Sequence, residues 1–388
     1  MVVEKTLFGI DKFLQQSSGY KNKRIGLVTN NAATTSDGEL SRLALLKEGF
    51  SIVKLFSPEH GLDARGADGS FQDNITDKLT GLPVRSLYGE SLAPAENDLA
   101  DMDIIVFDIP DVGSRFYTYL WTMTHALEAC SAFSKPLIIL DRPNPIGGNL
   151  ELAEGPMLDE ENCSSFIGRW NIPIRHSCTL GELAGYFVNT KRLEIDLTVI
   201  KVENWNRNET APNNNWNFIP TSPAIKNIET ALIYPGMGLM EGINVNEGRG
   251  TDFPFKIIGA PWINSEKLVQ NFQSLSLPGI SGQEYSYPAT DSLYKNEFCK
   301  GMKLVLKDTK VLKPVLTGLE MIRLLSSLFP ESCHEKRYPT RANPTGENHL
   351  DKLTGVLHSF EKIKSGEIME EYKKGEGWKE KITPFLLY

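Results

Sequence analysis

The 388-residue sequence lacks the features that mark several large classes of protein. No apolar run approaches the roughly 18 residues needed to cross a bilayer. The opening MVVEKTLFGIDKFLQQ has no basic-then-apolar layout of an export signal, which fits the cytoplasm. Only five cysteines occur (Cys130, Cys163, Cys178, Cys299, Cys333), far apart and without a C-x-x-C pair. They indicate neither a zinc cluster nor a disulfide framework and are expected to be free or buried thiols. Basic residues are outnumbered, 41 Lys plus Arg against 49 Asp plus Glu, and the resulting charge of −8 argues against a general nucleic-acid binder. The hydrolase and nucleotide signatures G-x-S-x-G, H-E-x-x-H and G-x-x-x-x-G-K-[ST] are absent. An S-x-x-K pattern at Ser51-Ile-Val-Lys54 falls inside a predicted strand, without S-D-N or K-T-G partners, and is set aside. Repeats and low-complexity tracts are also missing.

What is present is a chain with 40% apolar and 23% charged residues and a mean hydropathy of −0.26, enough for one large core or two smaller ones. The N-terminal part alternates short β-branched runs with longer amphipathic stretches, the pattern of parallel strands joined by helices. Strands are predicted at Arg24–Thr29, Phe50–Phe56, Ile104–Phe107, Pro136–Leu140 and Leu197–Val202. Helices are expected over Ser36–Lys47, Tyr117–Ala132 and from Thr179, where Thr-x-x-Glu182 forms a capping box. From Asn204 to Pro223 the composition turns to Asn, Trp and Pro, with Asn213-Asn-Asn215 between two tryptophans, which predicts a loop and a domain boundary. We place an α/β unit over 1–210 and a smaller α/β unit over 211–388. The second unit has an apolar stretch at Thr230–Leu239, a glycine-rich polar segment at Gly242–Gly250, helices at Ser265–Phe272 and Pro314–Leu328 and a strand at Met302–Leu306. The charge-dense Glu361–Lys381 is expected to be a solvated helical tail.

Ligands of open parallel sheets collect where loops leave the carboxyl ends of strands. Four polar clusters follow predicted strands here: Thr29-Asn30-Asn31, Ser57-Pro58-Glu59-His60-Gly61, Asp108 to Arg115 with Asp111 between them, and Asp141-Arg142-Pro143-Asn144-Pro145. Each could be turn chemistry alone, but together they bring carboxylates, two arginines and a histidine to one sheet edge. Glu59, pinned between proline and glycine turns, is placed for acid or base work, and His60 could tune it. In the second unit Glu241, Asn244, Glu247 and Arg249 share a glycine-rich segment that permits close approach of a ligand. Its G-x-G-x-x-x-G spacing departs from the dinucleotide fingerprint. Two carboxylates flanking a bond are the usual apparatus for cleaving a glycoside. Tyr88, Phe116, Tyr117, Tyr119, Trp121, Tyr234 and Trp262 are candidate faces for a sugar ring, with most expected in the core.

The motifs Ser57-Pro-Glu-His-Gly61, Gly81-Leu-Pro-Val84, Ser86-Leu-Tyr-Gly89, Phe107 to Tyr119, Leu140-Asp-Arg-Pro-Asn-Pro145, Tyr234-Pro-Gly236, Glu241 to Thr251, Gly259-Ala-Pro-Trp262 and Asn348 to Gly355 resemble one family in order and extent. It is the exo-β-N-acetylmuramidases of glycoside hydrolase family 171, formerly a bacterial domain of unknown function. The resemblance covers nearly the whole chain and implies a Rossmann-like N-terminal subdomain, a C-terminal α/β subdomain and an active site in the cleft between them. It implies release of terminal non-reducing N-acetylmuramic acid from peptidoglycan fragments, with Glu59 as the principal catalytic carboxylate, and a periplasmic or secreted setting. The stretch Leu62 to Gly69 departs from the family's Gly-x-Arg-Gly form around Arg65.

From the residues themselves, Glu59 is assigned as general acid/base, with Glu241 or Glu247 as the second carboxylate. Asn30, His60, Asp108, Asp111, Arg115, Tyr117, Asp141, Arg142, Asn144, Asn244 and Arg249 are assigned to substrate. Arg249, ahead of Arg115 and Arg142, is expected to grip the lactyl carboxylate of muramic acid with two parallel hydrogen bonds. Neither metal nor cofactor is expected. The partners expected are muropeptide saccharides, with no nucleic acid or membrane span and a homodimer left open. A non-catalytic muropeptide binder, and a metal-dependent hydrolase built on Asp108, Asp111, His60 and Glu59, are the alternatives.

Overall fold

The structure, a computed structural model, describes residues 4–67, 74–89, 91–211, 215–340 and 343–388. Asn213 and Asn214 of the expected interdomain loop, and Asp68 and Gly69 at the end of the departing segment, lie outside them. Seven strands form the first sheet: β1 Ile25–Thr29, β2 Ile52–Ser57, β3 Ile75–Thr76, β4 Pro83–Ser86, β5 Ile104–Asp108, β6 Leu137–Leu140 and β7 Leu197–Ile200. Their order is β3-β4-β2-β1-β5-β6-β7, parallel except for the short edge strand β3. The chain therefore runs outward in one direction from β1 through β2, then restarts beside β1 at β5. That reversal is the topological switch point of a Rossmann-like sheet.

Five helices belong to this part: α1 Gly9–Gln16, α2 Ser41–Lys47, α3 Glu96–Leu99, α4 Thr118–Ala132 and α5 Leu180–Lys191. The strands are apolar on both sides because both faces are covered. In β5, Ile104 and Val106 join a cluster with Phe8, Phe13 and Leu45, whereas Ile105 and Phe107 face Leu120, Trp121 and Leu127 on the other side. Helix α5 begins as its sequence predicts, with Thr179 Oγ1 accepting from the Glu182 amide and the Glu182 carboxylate accepting from the Thr179 amide. Helix α2 starts later than the expected Ser36. The Asp37-Gly38 corner instead makes a turn in which the Thr35 amide donates to Glu39 O and the Gly38 amide to Thr35 O.

The remaining elements are α6 Ile228–Met237, β8 Ile257–Ala260, α7 Ser265–Ser274, β9 Ile280–Pro288, β10 Phe298–Leu306, α8 Pro314–Leu328, α9 His349–Thr354, α10 Ser359–Ser365, α11 Ile368–Lys374 and α12 Trp378–Ile382. The antiparallel sheet β8-β10-β9 carries α7 against it. Helices α6 and α8 touch backbone to backbone: a Cβ on Gly236 would stand 1.7 Å from Pro314 O, and one on Gly318 2.2 Å from Gly236 O. One continuous buried cluster runs from Phe116, Tyr117 and Trp121 through Tyr234, Phe255 and Leu319 to Trp378, so the two α/β parts share a core.

The expectation of a solvated C-terminal tail is wrong. Ile363, Trp378 and Ile382 are fully buried, and the Trp378 indole N–H donates to His176 O at 2.8 Å. A few apolar residues at helical spacing dock this segment while its many charges face outward.

Candidate active site

Glu59 stands just past the carboxyl end of β2. After Ser57 and Pro58 the chain doubles back: His60 and Gly61 both take left-handed backbone angles, φ 67° and 74°, and the Gly61 amide donates to Pro58 O. A non-glycine residue in that region is strained, and His60 is held there with its Nδ1 2.8 Å from Gly66 O. The turn leaves Glu59 93% buried, with Thr118 Oγ1 donating to its Oε2 at 2.7 Å. Thr118 is the first residue of α4, so the start of that helix lies against Glu59.

The facing wall comes from the C-terminal part. A 3-10 turn over Gly238–Gly242 presents Glu241, and the glycine-rich segment after it returns Arg249 to the same place. Arg249 Nη2 donates to Glu241 Oε1 at 2.8 Å and Nη1 to Glu247 Oε1 at 3.2 Å, while its guanidinium lies 4.6 Å over the Phe255 ring. Gly248 must be glycine for this: its φ is 80°, and a Cβ there would stand 2.7 Å from Phe253 O. His349, opening α9, brings Nε2 to 3.5 Å from Glu241 Oε2, and its ring stacks on Tyr338 at 4.6 Å and 13°. Burial pushes the Glu241 carboxyl up, but Arg249 and His349 together outweigh that and hold it down at about 2, so Glu241 is ionised throughout the neutral range.

These residues line one cleft of about 610 Å³, its open mouth included. Tyr117, Tyr234, Phe116 and Phe255 make an edge-to-face aromatic wall, with ring centroids 4.8 to 6.0 Å apart. Tyr88 and Phe166 line another side of it. The Tyr117 hydroxyl donates to Thr221 Oγ1 at 2.7 Å, and burial pushes its ionisation up. Among the described residues that line the cleft, Arg249 is the one fixed cation.

Of the residues assigned from sequence, the cleft thus gathers Glu59, His60, Tyr117, Glu241 and Arg249. The others lie outside the lining of this cleft. Glu247 is fully buried behind Arg249, with Ser292 Oγ donating to its Oε1. Arg115 is fully buried and holds three carbonyls, Pro156 O (2.8 Å), Ile172 O (2.9 Å) and Leu353 O (2.9 Å), so it straps α9 to the N-terminal part. Burial pushes its guanidinium down to about 9. Arg142 pairs with Asp108 at 2.7 Å and donates to Thr34 O. Asp111 takes the Gly113 amide and faces His176, and Asn30 closes a turn onto the Ala32 amide. Asp141 is enclosed by Thr179, Gly181 and Tyr388, and burial raises it to about 6 despite those donors. Asn144 bridges Cys178 O and the Ile146 amide, and Asn244 bridges Ser332 O and the His334 amide. Trp121 is core, donating to Arg115 O, and Trp262 packs on Phe329 with its N–H on Tyr294. The ligand set of the metal-hydrolase alternative is split, with Glu59 and His60 in the cleft and Asp108 and Asp111 outside its lining. Among the described residues no three His, Cys, Asp or Glu side chains converge on a possible metal position.

Thr118, His349 and Tyr338 were not assigned roles from sequence. The signal for Thr118 was a hydroxyl at the first helical position after a strand end. For His349 it was membership of the motif Asn348–Gly355, whose spacing alone carries no chemistry.

A Rossmann-like sheet with a carboxylate at one strand end, faced by a second carboxylate from a C-terminal α/β subdomain, defines a two-part α/β protein with a polar, aromatic-walled cleft. Residues 25–229 match the family described as exo-beta-N-acetylmuramidase NamZ, N-terminal, and residues 232–388 its C-terminal counterpart. Peptidoglycan beta-N-acetylmuramidase NamZ of Bacillus subtilis (strain 168) is 40% identical over 330 residues, covering 84% of this chain and 79% of that protein. Two crystal structures of DUF1343 family proteins from Bacteroides fragilis NCTC 9343 superpose with TM-scores of 0.87 and 0.72, at 28% and 27% identity, each over 99% of both chains. The chain belongs to the NamZ (DUF1343) family of exo-β-N-acetylmuramidases, the family that its motifs resemble. No helix among the described residues is long and apolar enough to cross a membrane.

Proposed function

We propose that this protein hydrolyses the glycosidic bond of a terminal, non-reducing N-acetylmuramic acid in peptidoglycan fragments. The observation that carries this reading is the pairing of two buried carboxylates in unequal settings within one aromatic-walled cleft. Glu59 accepts from the neutral Thr118 hydroxyl, whereas Glu241 lies between Arg249 and His349. Such inequality divides labour between a proton donor and an anion. Glu59 gives its proton to the leaving glycosidic oxygen as the C1–O bond breaks. Glu241, ionised, faces the positive charge that develops on the sugar ring or orients the attacking water. Peptidoglycan as substrate would place the protein in the periplasm or outside the cell, which fractionation of the producing cells tests.

The test is release of 4-nitrophenol from the β-N-acetylmuramic acid and β-N-acetylglucosamine glycosides by wild type and Glu59→Gln, with folding of both checked. The reading expects turnover selective for the muramic compound and lost in the variant. A folded wild type that binds muropeptides without turnover would replace the enzyme with a binding protein.

A further inference from the structure

The lactyl group that distinguishes muramic acid brings a carboxylate into a cleft that already holds two, Glu59 and Glu241, and one fixed cation, Arg249. A further anion beside the ionised Glu241, without a counter-charge of its own in this confined site, is costly. The guanidinium is held in place by Phe255 under it and by the fully buried Glu247 behind it, which accepts from Nη1 at 3.2 Å. Glu241 is different. It faces the cleft, and its second oxygen already has another station in His349, which is clamped flat on Tyr338.

We propose that the substrate's carboxylate displaces Glu241 from Arg249, that Glu241 moves onto His349, and that this exchange releases a carboxylate otherwise locked in an ion pair. Arg249 is then a specificity determinant that acts on turnover, since a glycoside without the carboxylate binds but leaves Glu241 locked. His349 is a positioning residue, receiving Glu241 when Arg249 is taken. This rests on the proposed function for its substrate, but the exchange itself is a property of the Arg249–Glu241–His349 set and is measurable without turnover.

Two measurements test it. In the first, D-lactate is titrated into the wild-type protein, Glu241→Gln and Arg249→Gln, following the His349 imidazole by NMR. Removing the competing carboxylate should tighten D-lactate binding about tenfold in Glu241→Gln, and Arg249→Gln should abolish it. Equal affinity in wild type and Glu241→Gln, or a His349 signal that ignores D-lactate, overturns the exchange. In the second, D-lactate is added to the N-acetylglucosamine glycoside assay, with sodium chloride at matched ionic strength as control. The exchange expects kcat to rise about tenfold with KM little changed. An unchanged rate for this glycoside, in a preparation that cleaves the muramic compound, refutes the exchange and leaves the proposed function standing. Absence of cleavage of either glycoside alongside a positive D-lactate titration refutes only the proposed function.

Discussion

Replacing Glu241 by glutamine should make the protein less sensitive to acid, and the size of the effect follows from the structure. In the folded state Arg249 and His349 hold the Glu241 carboxyl at about 2, against its ordinary 4.5. At about 1.36 kcal/mol per pH unit, that depression corresponds to roughly 3 kcal/mol of stability. Because the folded value is the lower one, the contribution is fully present above pH 4.5 and is lost as the pH falls toward 2. Urea unfolding of wild type and Glu241→Gln across this range should show the stability difference between them shrinking by roughly 3 kcal/mol from pH 6 to pH 2. The measurement is the change in midpoint at constant m, which reports a change in stability. A difference that stays flat with pH would mean that Glu241 is not held ionised by its two neighbours, and the division of labour between Glu59 and Glu241 would lose its electrostatic basis.

Two further substitutions separate chemistry from architecture. Thr118→Val keeps the shape of the first residue of α4 but removes the hydroxyl on Glu59. Loss of this buried hydrogen bond, worth about 1 kcal/mol, should lower kcat/KM on the muramic glycoside by roughly tenfold and cost about 1 kcal/mol in urea unfolding, well short of the next variant. Arg115→Met removes the guanidinium donors from three buried carbonyls, of which Ile172 O keeps the Leu158 amide, and should destabilise the fold by roughly 3 kcal/mol in urea unfolding. If Arg115 bound substrate instead, the Met variant would lose activity while keeping its midpoint.

Much of the N-terminal fold is legible in the sequence because its signals are local. The runs at Arg24–Thr29, Ile104–Phe107 and Pro136–Leu140 are apolar at successive positions since both faces of a parallel sheet are covered, and the Thr179–Glu182 capping box announces α5 by its own hydrogen bonds. The short edge strand β3, its equally short neighbour β4 and the strands β8 and β9 escape such a reading. Pro83–Ser86 is only four residues, and β9, Ile280–Pro288, carries polar and aromatic residues that acquire strand geometry by pairing with β10 along its length. The C-terminal segment is misread for a related reason: its charges dominate the composition, while the few residues that dock it, Ile363, Trp378 and Ile382, are recognised only against the surface they cover.

The candidate site divides along the same line. Glu59 is legible because proline, a left-handed corner and glycine are written next to it and fix a carboxylate at a strand end whatever else the chain does. Arg115, Arg142, Asp108 and Asp141 carry the same kinds of charge in the same kinds of loops, and nothing local tells them from site residues. Only the assembled structure shows that Arg115 holds backbone carbonyls, that Arg142 and Asp108 pair with one another, and that Asp141 accepts from two hydroxyls and an amide. The pairing of Glu241 with Arg249 joins residues close in sequence, but His349 comes from more than a hundred residues further on and Thr118 from the opposite subdomain. Sequence by itself determined the central strands and main helices of the N-terminal part and which carboxylate stands at a turn, because those depend on neighbours a few residues away. The tertiary structure decided which charges face the cleft and which are neutralised behind it, because charge pairing and burial are set by elements that meet only when the two subdomains share one core.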